Sequence, residues 1–122
     1  MFKQISDIKG NDLLVLRINF GLSDGEQEEI GQLLEQRVKD RGGIRLLLIL
    51  GDYPSVDFAE SLYEDLKFVK LAQDKIDRLA VVGESAWQET WIGLFSLFGG
   101  VEAAYFENSD LDDAVQWLNR KS

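Results

Sequence analysis

The chain has 122 residues, 45% hydrophobic and 29% charged, which suits one globular domain with its own core and excludes a disordered chain. Its 22 acidic against 13 basic side chains give a formal charge of −9, which repels phosphate backbones and anionic lipid surfaces and excludes nucleic acid as a partner. Cysteine and histidine are both absent, which removes disulfides, thiolate nucleophiles, Cys- or His-ligated metals and the usual general base near neutral pH.

The N-terminal Met1-Phe2-Lys3-Gln4-Ile5-Ser6-Asp7 lacks the apolar run of a signal peptide. No stretch approaches the length of a membrane span. A cytoplasmic location is expected. Phe2 to Asp7 reads as a short first strand, followed by the turn Lys9-Gly10-Asn11-Asp12. Leu13 to Phe20 reads as a second strand, with Leu14, Leu16, Ile18 and Phe20 on one face and Arg17 and Asn19 on the other. Their short separation predicts an antiparallel pair.

Ser23 to Arg41 reads as the first helix. Ser23 and Glu26 have the spacing of a capping box. Ile30, Leu33, Leu34 and Val38 make one apolar stripe, and Gly42-Gly43 ends it. Ile44 to Leu50 carries five aliphatic residues in a row, the mark of a central parallel strand buried on both faces. After the loop Gly51-Asp52-Tyr53-Pro54-Ser55, a second helix is expected from about Val56 to Gln73, with Leu62, Leu66 and Val69 inward. Its Glu64-Asp65-Leu66-Lys67 reads as surface charge pairing at i,i+3 spacing.

Leu79 to Gly83 reads as a fourth, buried strand. Ser85 and Gln88 form another capping pattern before a third helix from Ala86 to about Phe98, which Gly99-Gly100 ends. Val101 to Phe106 is a fifth strand, and Ser109 is expected to cap a last helix carrying Leu111, Ala114, Val115 and Leu118. The order β-β-α-β-α-β-α-β-α predicts a single α/β domain over residues 1–122. Its one five-stranded sheet is mostly parallel, with an antiparallel edge strand and about four helices. Ligands of such sheets bind beyond the carboxyl ends of the strands, here Gly21, Gly51-Asp52, Gly83-Glu84 and Phe106-Glu107.

Neither G-x-G-x-x-G nor G-x-x-x-x-G-K-[ST] occurs, so nucleotide phosphates have no cradle. Asp52, Asp57 and Glu84 are an acidic set for Mg²⁺ or Ca²⁺, against which stand helix capping and solvated loop charge. No catalytic residue, metal or cofactor is therefore assigned. A metal-dependent enzyme using those carboxylates stays as a distant alternative.

The aromatics say more. The third helix carries Trp87, Trp91, Ile92, Leu94, Phe95, Leu97 and Phe98, more apolar surface than one sheet-facing stripe needs. The second has a similar surplus in Phe58, Tyr63 and Phe68. An apolar site between these two helices is the leading expectation, lined by Tyr53, Phe58, Leu62, Trp87 and Trp91. It would take an apolar small molecule, a lipid included, or a protein partner. Plain core packing and a homodimer interface are the alternatives. Ser55 lies just before the second helix, where an added phosphate would meet helix N–H groups; N-capping is the simpler reading.

The element order resembles the STAS domain of bacterial anti-sigma-factor antagonists. Ile44-Arg45-Leu46-Leu47, Tyr63-Glu64-Asp65-Leu66-Lys67-Phe68 and Leu79-Ala80-Val81-Val82-Gly83 followed by Trp87 are similar to the SpoIIAA-like family of small bacterial proteins. The tail from Tyr105-Phe106 to Ala114, Trp117 and Leu118 also fits. The resemblance implies a STAS-like fold and a regulatory, non-catalytic role. Antagonists of this kind carry an adjacent Asp-Ser pair whose serine is phosphorylated. The stretch Asp52-Tyr53-Pro54-Ser55-Val56-Asp57-Phe58 lacks that pair, and Ser55 alone would have to serve a partner switch. The family fold also resembles lipid-binding CRAL-TRIO domains, in agreement with the apolar surplus.

Overall fold

The structure, a computed structural model, describes residues 2–5, 13–19, 21–51, 60, 64–72, 74–84, 87 and 101–120, the side chain at 41 excepted. Strand β1 (Phe2–Gln4) pairs antiparallel with β2 (Leu13–Asn19), placing Phe2 opposite Ile18 and Gln4 opposite Leu16. Helix α1 (Asp24–Arg41) leads to β3 (Ile44–Gly51), which runs parallel to β2 with Leu14 opposite Leu46. A short helix α2 (Lys67–Leu71) precedes β4 (Ile76–Gly83), parallel to β3. Strand β5 (Glu102–Glu107) is parallel to β4, and a 3-10 turn (Asn108–Asp110) carries the chain into α3 (Leu111–Asn119).

The strand order is β1-β2-β3-β4-β5, so each parallel step moves to the next position in the same direction. Right-handed crossovers then lay successive helices on one face of the sheet. Side-chain alternation follows from this. Leu14, Leu16 and Ile18 of β2 and Leu46 and Leu48 of β3 meet Ile30 and Leu34 of α1 and Phe68 and Val69 of α2. Leu13, Val15, Leu47, Ala80 and Val82 turn the other way and meet Ala114 and Leu118 of α3. The aliphatic run of β3 is thus apolar because it sits between two layers, and each side chain it buries contributes about 1.5–3 kcal/mol.

Three details differ from the sequence expectation. Strand β4 begins at Ile76, ahead of Leu79, because Arg78 belongs to the sheet despite its charge: it is only 9% exposed. Its Nη1 donates to the carbonyls of Trp117 (2.9 Å) and Arg120 (2.7 Å), and its guanidinium carbon lies 5.6 Å from the Trp117 ring centroid. Arg78 therefore closes the carbonyl end of α3, where a cation is favoured.

Ser109 does not cap α3. It lies inside the 3-10 turn, and Asp110 takes the capping position without a side-chain bond. Asp112 and Asp113 in the first turn supply negative charge to that helix end instead. The second helix is also interrupted: Leu66 adopts φ −99°, ψ 15° immediately before α2. Three α-helices are delimited among the described residues. The third predicted helix, 86–98, lies outside them apart from Trp87.

Candidate functional site: the groove between α1 and α2

Helix α1 is set by its ends. The Ser23 hydroxyl accepts from the Glu26 N–H (3.1 Å) while a Glu26 carboxylate oxygen accepts from the Ser23 N–H (3.2 Å), completing the predicted capping box. The Ser23 N–H holds the Glu26 carboxyl below its ordinary 4.5. Gly42 ends the helix at φ 82°, a left-handed value that glycine adopts without strain. The inward stripe of α1 is spent on the sheet. The adjoining stripe, at three- and four-residue spacing from Asp24 through Gln27, Glu28, Gly31 and Glu35, faces a groove of about 550 Å³.

The groove has an apolar floor and a charged rim. Leu34, Phe68 and Ala72 line it and are buried. Leu71 of α2 stands beside them 84% exposed. Asp24, Glu28 and Glu35 stand on the α1 side and Lys75 faces them, its ammonium 3.8 Å from Glu35.

Two contacts hold the other end. The Gln27 side-chain amide donates to the Glu64 carbonyl at 2.9 Å. Asp65, 4% exposed, accepts from the N–H groups of Gly21 and Leu22, both at 3.0 Å. Gly21 turns at φ 90° on the way into α1. The Asp65 carboxylate thus ties the entrance of α1 to the turn before α2.

This corrects the surface role expected for 64–67. The Glu64–Lys67 pair forms as expected, at 2.7 Å. Asp65, its neighbour, points inward and is structural. Sequence spacing recognises i,i+3 partners on one helix but carries no signal for amides 43 and 44 residues away.

At the carboxyl ends of the strands, the Tyr105 hydroxyl of β5 donates to the Glu84 carbonyl at 2.6 Å. Burial raises the Tyr105 hydroxyl above its ordinary 10.0, and the charges of Glu84 and Glu107 add to the effect. Trp87 is buried beside it. A Cβ placed on Gly83 would fall 2.6 Å from the Tyr105 oxygen and 2.8 Å from the Trp87 ring. Gly83 is the residue that lets these two rings close over the end of β4.

Of the predicted lining residues, Trp87 is thus seated against Gly83 within the cluster beneath α1 and α2. Tyr53, Phe58, Leu62, Trp91 and the regulatory candidate Ser55 lie outside the described residues, as do Asp52 and Asp57. Among the described residues no group of three Asp or Glu is arranged to hold a metal, and no helix is long and apolar enough to cross a membrane. The α1–α2 groove itself was not anticipated. Its one sequence signal is Leu71, which falls off the inward stripe of Leu66 and Val69.

A sequential five-stranded sheet with an antiparallel first strand, α1 and α2 on one face and α3 on the other defines the chain as a STAS-like α/β domain. A family model described as SpoIIAA-like matches residues 13–119. The chain belongs to the SpoIIAA-like family. Neither a curated protein nor a solved structure matches it.

Proposed function

We propose that this protein is a non-catalytic regulatory module that engages a protein partner through the α1–α2 side of its sheet. The observation that carries the reading is Leu71, a large apolar side chain left 84% exposed beside a groove with an apolar floor. An isolated exposed leucine is ordinary on a protein surface, but one bordering a concave apolar floor adds to a docking face. Membership of a family that resembles anti-sigma-factor antagonists supports a regulatory role. The carboxylates on the rim oppose fatty acids and anionic lipids, so a protein fits this groove better than a lipid does.

The test is comparative capture from cell extract with the wild type and Leu71→Glu as bait, quantified by mass spectrometry. A partner held by the wild type and lost by a folded Leu71→Glu supports the reading. Equal capture by both baits removes the groove from it. A lipid that copurifies with the wild type and is lost on Leu71→Glu replaces the protein partner with a lipid.

A further inference from the structure

Gly31 sits in the interior of α1, where glycine is the least favourable residue other than proline. Most structural glycines explain themselves through a positive φ or a close neighbour. Gly31 has neither: its φ is ordinary, and among the described residues a Cβ added to it would meet no atom within 4 Å beyond its chain neighbours and its own helix backbone. It lines the groove between Glu28 and Glu35, with Leu71 in the opposite wall. Its missing side chain leaves a notch in the wall of α1, and the lack of a Cβ permits close approach there by a group from outside the chain.

The dimensions suit one kind of visitor. From Asp24 to Glu35 the lining stripe advances eleven residues, about 16 Å of helix and about three turns. Charge selects further. The rim carries three carboxylates against Lys75, which already leans on Glu35, within a chain of net charge −9. A second copy of the same acidic chain is disfavoured there, and a cationic segment is attracted.

Resting on the reading that the groove docks a protein, we propose that its occupant is a basic amphipathic helix of the partner, about three turns long, lying along α1 with one apolar side chain seated over Gly31 against Leu71. The apolar face of such a helix repeats at i, i+3 or i+4 and i+7, and its lysines and arginines meet Asp24, Glu28 and Glu35.

The test uses synthetic probes of about 14 residues with leucine at those positions: one filled out with lysine, one with glutamate, and a scrambled lysine peptide. Binding is followed by fluorescence anisotropy and by amide shifts of the ¹⁵N-labelled full chain. The lysine helix is expected to bind with a micromolar Kd, shift residues 24–35 and 68–75, and weaken several-fold from about 50 to about 300 mM salt. Gly31→Leu is expected to weaken it about tenfold or more by filling the notch. Gly31→Ala serves as the folding control: it is expected to raise the melting temperature by a few degrees while weakening binding, a split that loss of fold cannot produce.

Equal binding of the lysine, glutamate and scrambled peptides overturns the proposal. So does unchanged affinity in Gly31→Leu, a groove-shifting titration with oleate, or a dimer that Leu71→Glu dissolves. If no peptide binds but Leu71→Glu still loses its captured partner, the basic helix is refuted and the protein-docking reading stands; if that capture is also unchanged, both fall.

Discussion

Removing the Asp65 carboxylate is the sharpest probe of how the two helices are held. In Asp65→Ala the amides of Gly21 and Leu22 lose their acceptors together. Hydrogen bonds to a charged group contribute about 1.5–3 kcal/mol each. Gly21 is exposed and Leu22 half-buried, so water recovers part of the loss. The low end of the range for both bonds, about 3 kcal/mol, is the fitting figure. An unfolding entropy of about 2.1 cal/mol/K per residue makes about 0.26 kcal/mol/K for a chain of this length, so the melting temperature should fall by about 12 °C.

Asp65→Asn should lose nearly as much, because its amide nitrogen must face one of two N–H groups that are both donors. Thermal unfolding followed by circular dichroism, with urea titration to check that the m-value is unchanged, reads the effect. A fall of less than about 3 °C in Asp65→Ala would show that the carboxylate is not the tie between α1 and α2.

Three further outcomes are expected. Gly83→Ala forces a methyl into the contact between Tyr105 and Trp87, and should cost about 1–3 kcal/mol and shift the tryptophan emission; an unperturbed spectrum would contradict the packing. Arg78→Leu takes the guanidinium donor from the Arg120 carbonyl and leaves the Trp117 carbonyl with only the long Arg120 N–H bond at 3.3 Å, and should destabilise by about 2–3 kcal/mol. Hydrogen exchange should quicken first in α3, and Arg78→Lys should recover only part of the loss, since an ammonium lacks the planar fork. Glu26 has a lowered pKa in the folded state, so its contribution to stability is present above its ordinary 4.5 and is lost as pH falls through the folded value. Melting temperatures of wild type and Glu26→Gln should therefore differ at neutral pH and converge in acid.

Helix α1 was legible to the residue at both ends, because a capping box and a glycine stop are local chemistry written in adjacent positions. The parallel centre of the sheet was legible for the same reason, since the run of leucines in β3 has a meaning only between two layers. The burial of Arg78, just ahead of the strand expected from Leu79, and of Asp65, expected on the surface, escapes the sequence for one shared cause. Each is a charged residue that bonds backbone atoms of distant segments, Trp117 and Arg120 for the first, which also pairs with the Glu102 carboxylate at 3.4 Å, and Gly21 and Leu22 for the second. A charge in sequence defaults to solvent, and only the fold reveals an acceptor or donor waiting for it.

The groove follows the same division. Its residues are ordinary in order along the chain, and Gly31 resembles any helix glycine until the fold sets its open Cβ position on the groove, with no described atom of another element within 4 Å. The sequence by itself determined the α/β class, the antiparallel edge, the central strand and the framing of α1, all of which rest on periodicity and local capping. The tertiary structure alone decided which helix faces remain uncovered and which charges are buried, because both depend on what the chain brings alongside from far away.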